Sequence, residues 1–380
     1  MPSSELGPLL GRPVTISGLG AYVPPGVVTN DDLAGRLDTS DEWITQRTGI
    51  RERRVAAPGL SSSDLGILAG TAALADAGLA PDSIDLVITA TISPDRLMPA
   101  TASRVALQCG CTRAGAFDVS AGCSGFIFAL AMAASAVAAG LHDHVLVVGA
   151  EAISRLLDWD DRSTAVLFGD GAGAAVVSAR PLAAAPQAGG AAQPAAPLAG
   201  AAREPAPGAV SPAGILGFDL GGDGSGSEFL MIPAGGSQLP ASHETVDARQ
   251  HFMIMNGQEV YRFATRIVGQ SAGRVLRRCG RTVDDIDLFV PHQANLRIIE
   301  GAVKKLGIAD DKVYTNLQRY GNTSCASIPL CLTEARADGR LKDGDLVLLM
   351  GFGAGLTWGA CLIEWGGGPA RCQDVGSEMT

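Results

Sequence analysis

Apolar positions along this 380-residue chain alternate between two patterns. Short continuous runs, such as "DLVITATI" from Asp85, "GAFDVS" from Gly115 and "HVLVVGAE" from His144, have the length and β-branched character of strands. Between them lie longer stretches with helical spacing, one from Ala100 and an Ala-rich one just after Cys123. This alternation predicts an α/β fold with a mainly parallel sheet covered by helices.

The pattern also repeats. "PDSIDLVITATISP" from Pro81 is echoed by "VDDIDLFVPHQANL" from Val283, and "AAGLHDHVLVVGAE" by "ADGRLKDGDLVLLMGFGAG", over comparable intervals. The first interval carries Cys123 and the second carries "RYGNTSCASIP", with Asn322 at a similar strand-to-helix junction. Two similar halves, residues 1–180 and 214–380, would place equivalent helix starts near each other across a pseudo-two-fold axis. Cys123 and Asn322 are then expected to face one cavity, with His292 at the end of the strand "DLFVPH". The intervening 181–213 is almost all Ala, Pro and Gly. It lacks the side chains to offset its ordering entropy and is expected to be an exposed loop.

Composition narrows the picture. Hydrophobic residues make up 47% and charged residues 18%, with a net charge of −10, which argues against a nucleic-acid partner. Eight cysteines without a regular framework, in a chain too long to need staples, read as cytosolic thiols. The start, "MPSSELGPLLGRPV", has no secretory pattern, so a cytoplasmic location is expected. Cys109 and Cys111 form a C-x-C without a second pair at ligand spacing, so no metal is expected. Residues 119–141 carry no charge and are long enough to span a bilayer, but their Ala, Gly and Ser content fits a core helix between two layers better.

Three stretches carry chemistry: "DVSAGCSGF", "VPHQANLR" and "YGNTSCAS". A thiol at a helix start gains from backbone N–H groups that favour the thiolate. A histidine and an asparagine suit the charge that develops on its substrate. "GFGAGLTWG" offers a further backbone N–H, whereas neither it nor "GDGAGAAVV" has the G-x-G-x-x-G spacing of a dinucleotide loop.

With "TSDEWITQRTGIRERR" and "FGDGAGAAVV" added in order, the chain from about Val14 to Trp365 resembles the β-ketoacyl-acyl-carrier-protein synthases III of the thiolase superfamily. The resemblance implies two similar halves in an α-β-α-β-α layering, a homodimer, and no cofactor beyond coenzyme A thioester as substrate. It implies a catalytic triad of Cys123, His292 and Asn322, and an oxyanion site formed by the N–H groups of Cys123 and Ala354, the latter where relatives usually carry glycine. Coenzyme A contacts fall on Trp43, Arg47 and Arg162, with Trp43 and Arg162 resembling a pair that sandwiches adenine. Met98, contributed across the dimer interface, and Phe352 fall on the acyl pocket. Docking of the acidic carrier protein on a chain of net charge −10 needs a local basic face, for which Arg262, Arg266, Arg297, Lys304 and Lys305 are candidates. The implied reaction loads an acyl group from acyl-CoA on Cys123 and condenses it with malonyl-acyl carrier protein with loss of CO2. Acyl transfer without decarboxylation is the alternative, and a non-catalytic partner subunit a third reading.

Overall fold

The computed structural model describes residues 11–180 and 214–366. The 181–213 segment, expected to be an exposed loop, lies outside them. The larger strands are β1 (Val14–Tyr22), β2 (Leu86–Ala90), β3 (Gly115–Val119), β4 (His144–Glu151), β5 (Gly171–Ala179), β6 (Gly214–Gly222), β7 (Leu288–Pro291), β8 (Leu346–Gly353) and β9 (Thr357–Glu364). They form two sheets, ordered β1–β5–β4–β2–β3 and β6–β9–β8–β7.

The two orders are the same path. In each sheet an outer strand pairs antiparallel with the last strand of its half, that strand pairs antiparallel with the next, and the next pairs parallel with β2 or β7. The counterpart of β3 in the second half is a single parallel bridge between Phe289 and Val313. The repeat in the sequence is therefore a repeat of topology.

The sheets are mixed, not mainly parallel as the alternation suggested. The connection from β8 to β9 spans only residues 354–356, and a parallel neighbour needs a crossover of a dozen residues or more.

Helices make the remaining layers. α1 (Asp41–Thr48), α2 (Ser62–Ala77), α3 (Thr101–Gln108), α4 (Gly125–Ala138) and α5 (Arg162–Ala165) belong to the first half, and α6 (Gly257–Arg278), α7 (Leu296–Leu306) and α8 (Ser327–Ala337) to the second. One core cluster joins α4 and α8 with residues of both sheets, among them Val145, Val147, Val347 and Leu349. The opposite faces carry separate clusters: α2 and α3 cover Val87 and Leu146, and α6 and α7 cover Phe289 and Leu348. The layering is α-β-α-β-α.

The uncharged stretch after Cys123 is the central helix α4, buried along most of its length between the sheets. Its alanines let the layers stand close. No helix of the described residues is long and apolar enough to cross a membrane.

Candidate active site

Cys123 stands two residues before α4, with Ser124 as the N-cap. Its turn closes against the loop after β8 at van der Waals limits. Gly122 has φ +53, and a Cβ there would lie 2.6 Å from Ala354 O and 2.7 Å from Ala354 N. A Cβ on Gly353 would lie 3.1 Å from the Cys123 sulfur. Thr357 Oγ1 sits between the two turns, 2.8 Å from Ala121 O and 2.9 Å from Ala354 O, and donates its one proton to one of these carbonyls while accepting from Ser124 Oγ at 2.8 Å. The glycines of "SAGCSGF" and "GFGAG" thus serve a close approach of backbone to backbone. The Ala354 backbone is brought to the edge of the Cys123 turn as a result.

The position of Cys123 is as expected, but its ionisation is not. Burial pushes the thiol up to about 12; the Ser324 hydroxyl pulls the other way, and the charge of Glu151 adds to the rise. The resting group is a neutral thiol, because desolvation outweighs what a helix start supplies.

His292 follows the end of β7 and is 1% exposed. Its Nδ1 lies 2.7 Å from Ser327 Oγ, and its ring meets Phe352 edge-on at 5.4 Å between centroids. Burial holds it down at about 3, so it too is neutral at rest. Asn322 accepts a 2.9 Å hydrogen bond from Ser324 N–H on its Oδ1. That assigns the amide orientation and leaves Nδ2 as a donor. The Asn322 main chain is stitched to the first half through Asn322 N–H to Leu167 O, 2.8 Å, and Gly169 N–H to Asn322 O, 3.0 Å. The "FGDGAG" and "YGNTS" motifs are partners in this crossing: a Cβ on Gly169 would lie 2.4 Å from Tyr320 O, and one on Gly321 would lie 2.7 Å from Leu167 O.

Cys123, His292, Asn322 and Phe352 line one cavity of about 130 Å³, the rest of whose wall is mostly apolar, with Phe168, Leu230, Met255 and Ile298 among its residues. The cavity reaches Asn295, whose Nδ2 donates to Arg47 O at 3.1 Å. Its Asn295 wall therefore abuts α1 and the cluster named for coenzyme A. There the guanidinium carbon of Arg162 lies 4.8 Å from the Trp43 ring centroid and that of Arg47 lies 5.2 Å from it. Arg162 also bonds the carbonyl of Asp38. Trp43 and Arg162 touch, so no gap for an adenine stands open between them. A base entering there has to displace the cation from the ring.

The five basic residues lie on exposed faces of α6 and α7. Lys305 Nζ donates to Thr265 O at 3.3 Å, tying the two helices together, and Arg297 Nε donates to Gln46 O of α1 at 3.1 Å. Arg262 is paired with Glu259 at 2.6 Å, which spends part of its charge locally. Met98 is 84% exposed and lines no part of this chain's cavity.

Sequence reasoning passed over four neighbours of the site. Glu151, fully buried at the end of β4, accepts from Ser93 Oγ at 2.6 Å, and burial raises its pKa. Ser324 takes φ +47 beneath the thiol. Cys325 Sγ donates to Gly122 O at 3.1 Å, and Ser327 meets His292. Only Glu151 had a signal, a carboxylate closing an otherwise apolar strand.

A fold of two like halves, with a buried thiol, imidazole and carboxamide at their junction, defines the thiolase-like condensing enzymes. Comparison with known proteins agrees. The family model 3-oxoacyl-[acyl-carrier-protein] synthase III matches residues 117–189, and its C-terminal model matches 276–365. Beta-ketoacyl-[acyl-carrier-protein] synthase III of Symbiobacterium thermophilum is 51% identical over 93% of this chain and 99% of its own. The crystal structure of the corresponding enzyme of Thermus thermophilus shares 45% identity over 93% and 99% of the two chains, with a TM-score of 0.78. The priming beta-ketosynthase of the R1128 polyketide biosynthetic pathway shares 34% over 95% and 98%, with a TM-score of 0.79. The chain belongs to the beta-ketoacyl-[acyl-carrier-protein] synthase III family.

Proposed function

We propose that this condensing enzyme loads an acyl primer from acyl-CoA onto Cys123 and joins it to malonyl-acyl carrier protein, releasing CO2 and 3-ketoacyl-carrier protein. The observation that carries the reading is the convergence of a neutral thiol, a neutral imidazole and an amide donor on one apolar cavity. Because the thiol is neutral, His292 takes its proton as the sulfur attacks the thioester carbonyl. The N–H groups of Cys123 and Ala354 hold the oxyanion, and coenzyme A leaves as the thiol with that proton. Malonyl-carrier protein then enters. Loss of CO2 leaves an enolate whose oxygen takes hydrogen bonds from Asn322 Nδ2 and from His292 once protonated on Nε2. Its carbanion attacks the acyl-cysteine, the bond from the acyl carbon to the Cys123 sulfur breaks, and the expelled thiolate takes the Nε2 proton that His292 gained from solvent, one proton per condensation.

Trp43, Arg47 and Arg162 hold the adenosine end of coenzyme A, the purine replacing the Arg162 guanidinium on the indole. The exposed Met98 serves the acyl pocket of a second copy in a homodimer, next to Phe352, and its pliable side chain accommodates branched or longer primers. The basic face of α6 and α7 receives the acidic carrier protein. We assign the enzyme to fatty-acid initiation in the cytoplasm rather than polyketide priming, because synthase III relatives reach 51% identity and the polyketide priming enzyme 34%.

The test incubates the protein with a panel of acyl-CoAs and malonyl-carrier protein, and measures acyl mass on the protein and CO2 release. Equal amounts of CO2 and 3-ketoacyl product are expected. Acylation followed by transfer without CO2 would make it a plain acyltransferase, and no acyl mass a non-catalytic subunit.

A further inference from the structure

The hydrogen bonds behind His292 decide where its proton is. Ser327 Oγ lies 2.9 Å from Ser324 O, a carbonyl that can only accept. Ser327 has one hydroxyl proton, and that bond uses it. With that proton on Ser324 O, which also accepts the Ser327 backbone N–H, the same oxygen can only accept from His292 Nδ1, 2.7 Å away, an arrangement that calls for the imidazole proton on Nδ1. His292 and Ser327 are each 1% exposed, so water does not compete for either atom. The other ring nitrogen, Nε2, lies at the opposite end of the imidazole, in a ring that lines the cavity with Cys123.

We propose that Ser327 is the positioning residue that fixes His292 as a base, holding its proton on Nδ1 and leaving Nε2 with a free lone pair. This rests on the function proposed above and assigns it a further residue. The first half-reaction needs that form, because the Cys123 proton must go to Nε2 as the carbon–sulfur bond forms, and from there to the departing coenzyme A sulfur. The second half-reaction needs the opposite, a proton on Nε2. Loss of Ser327 therefore harms the two halves unequally, whereas a merely structural role would harm them together.

The experiment reads the tautomer and both half-reactions. Imidazole-nitrogen NMR on ¹⁵N-histidine-labelled protein is tractable because the chain has five histidines. Wild type is expected to show His292 protonated on Nδ1 alone. Ser327→Ala is expected to populate the Nε2-protonated form and to slow acylation by acyl-CoA about 10- to 100-fold, the range found when a metal-binding histidine loses the partner that fixes its tautomer. CO2 release from malonyl-carrier protein without primer should fall much less, and Ser327→Thr, which keeps a hydroxyl, should recover acylation. Wild-type His292 protonated on Nε2 would overturn the proposal, and so would an Ala variant that leaves both rates intact or lowers them equally. If Ser327→Ala does not fold, the wild-type spectrum alone decides. If wild type takes no acyl group on Cys123, the proposed function fails, while the spectrum still judges the tautomer.

Discussion

Gly122→Ala places one methyl group where the two active-site turns meet. The added Cβ would lie 2.6 Å from Ala354 O and 2.7 Å from Ala354 N, against ordinary contacts that begin at 3.4 Å. One backbone must give way by roughly 0.8 Å. The usable range for an oxyanion donor is about 2.7–3.1 Å, so a shift of that size takes the Ala354 N–H out of reach. Loss of one such donor costs about 10²- to 10³-fold in rate. The φ of +53 at Gly122 adds a backbone penalty of about 1–2 kcal/mol for alanine. The expected result is a melting temperature lower by a few degrees and an acylation rate, followed by mass spectrometry under single turnover, lower by at least about 100-fold. A variant with wild-type acylation would refute the claim that these turns form the oxyanion site. A variant that unfolds in proportion to its loss of rate would refute the separation of the two effects.

Asn322→Ala should reduce CO2 release from malonyl-carrier protein by about 100-fold or more while retaining part of the acylation, read in separate half-reaction assays. Arg266→Glu with Arg297→Glu should raise the Michaelis constant for malonyl-carrier protein and flatten its salt dependence, leaving acylation by acyl-CoA nearly unchanged; equal loss in both would mean damage to the fold. Stability should fall in acid because of His292. Burial holds it at about 3 in the folded protein against 6.5 when free, so its contribution is complete above pH 6.5 and lost as pH drops toward 3. Denaturant titration should show about 3 kcal/mol of this loss between pH 6.5 and about pH 4, absent in His292→Phe.

Much of the site was legible because duplication fixes geometry. Once the two halves share a strand order, the residues after β3 and after the Val313 bridge must meet, and Cys123 and Asn322 do. The core character of α4 was legible from its Ala-rich, uncharged sequence. Strand direction was not, since an apolar run looks the same in a parallel or antiparallel ladder, and only the brevity of the 354–356 connection decides it. The ionisation of Cys123 was misjudged because local sequence shows the helix start but not the depth of burial. Ser327 was invisible for a similar reason: in "SCAS" it resembles any small residue opening a helix, and its role exists only through Ser324 O and His292 across the junction. The closed contact of Trp43 with Arg162 likewise depends on two helices far apart in the chain.

The central claim is that Cys123 carries the acyl group between two substrates. Wild-type protein is incubated with acyl-CoA, digested and mapped by mass spectrometry, then challenged with malonyl-carrier protein. The account predicts one acyl mass, on the peptide containing Cys123, discharged on addition of malonyl-carrier protein with one CO2 per acyl group, and no adduct in Cys123→Ser. An acyl group on another residue, or condensation at an unchanged rate in Cys123→Ser, would contradict it.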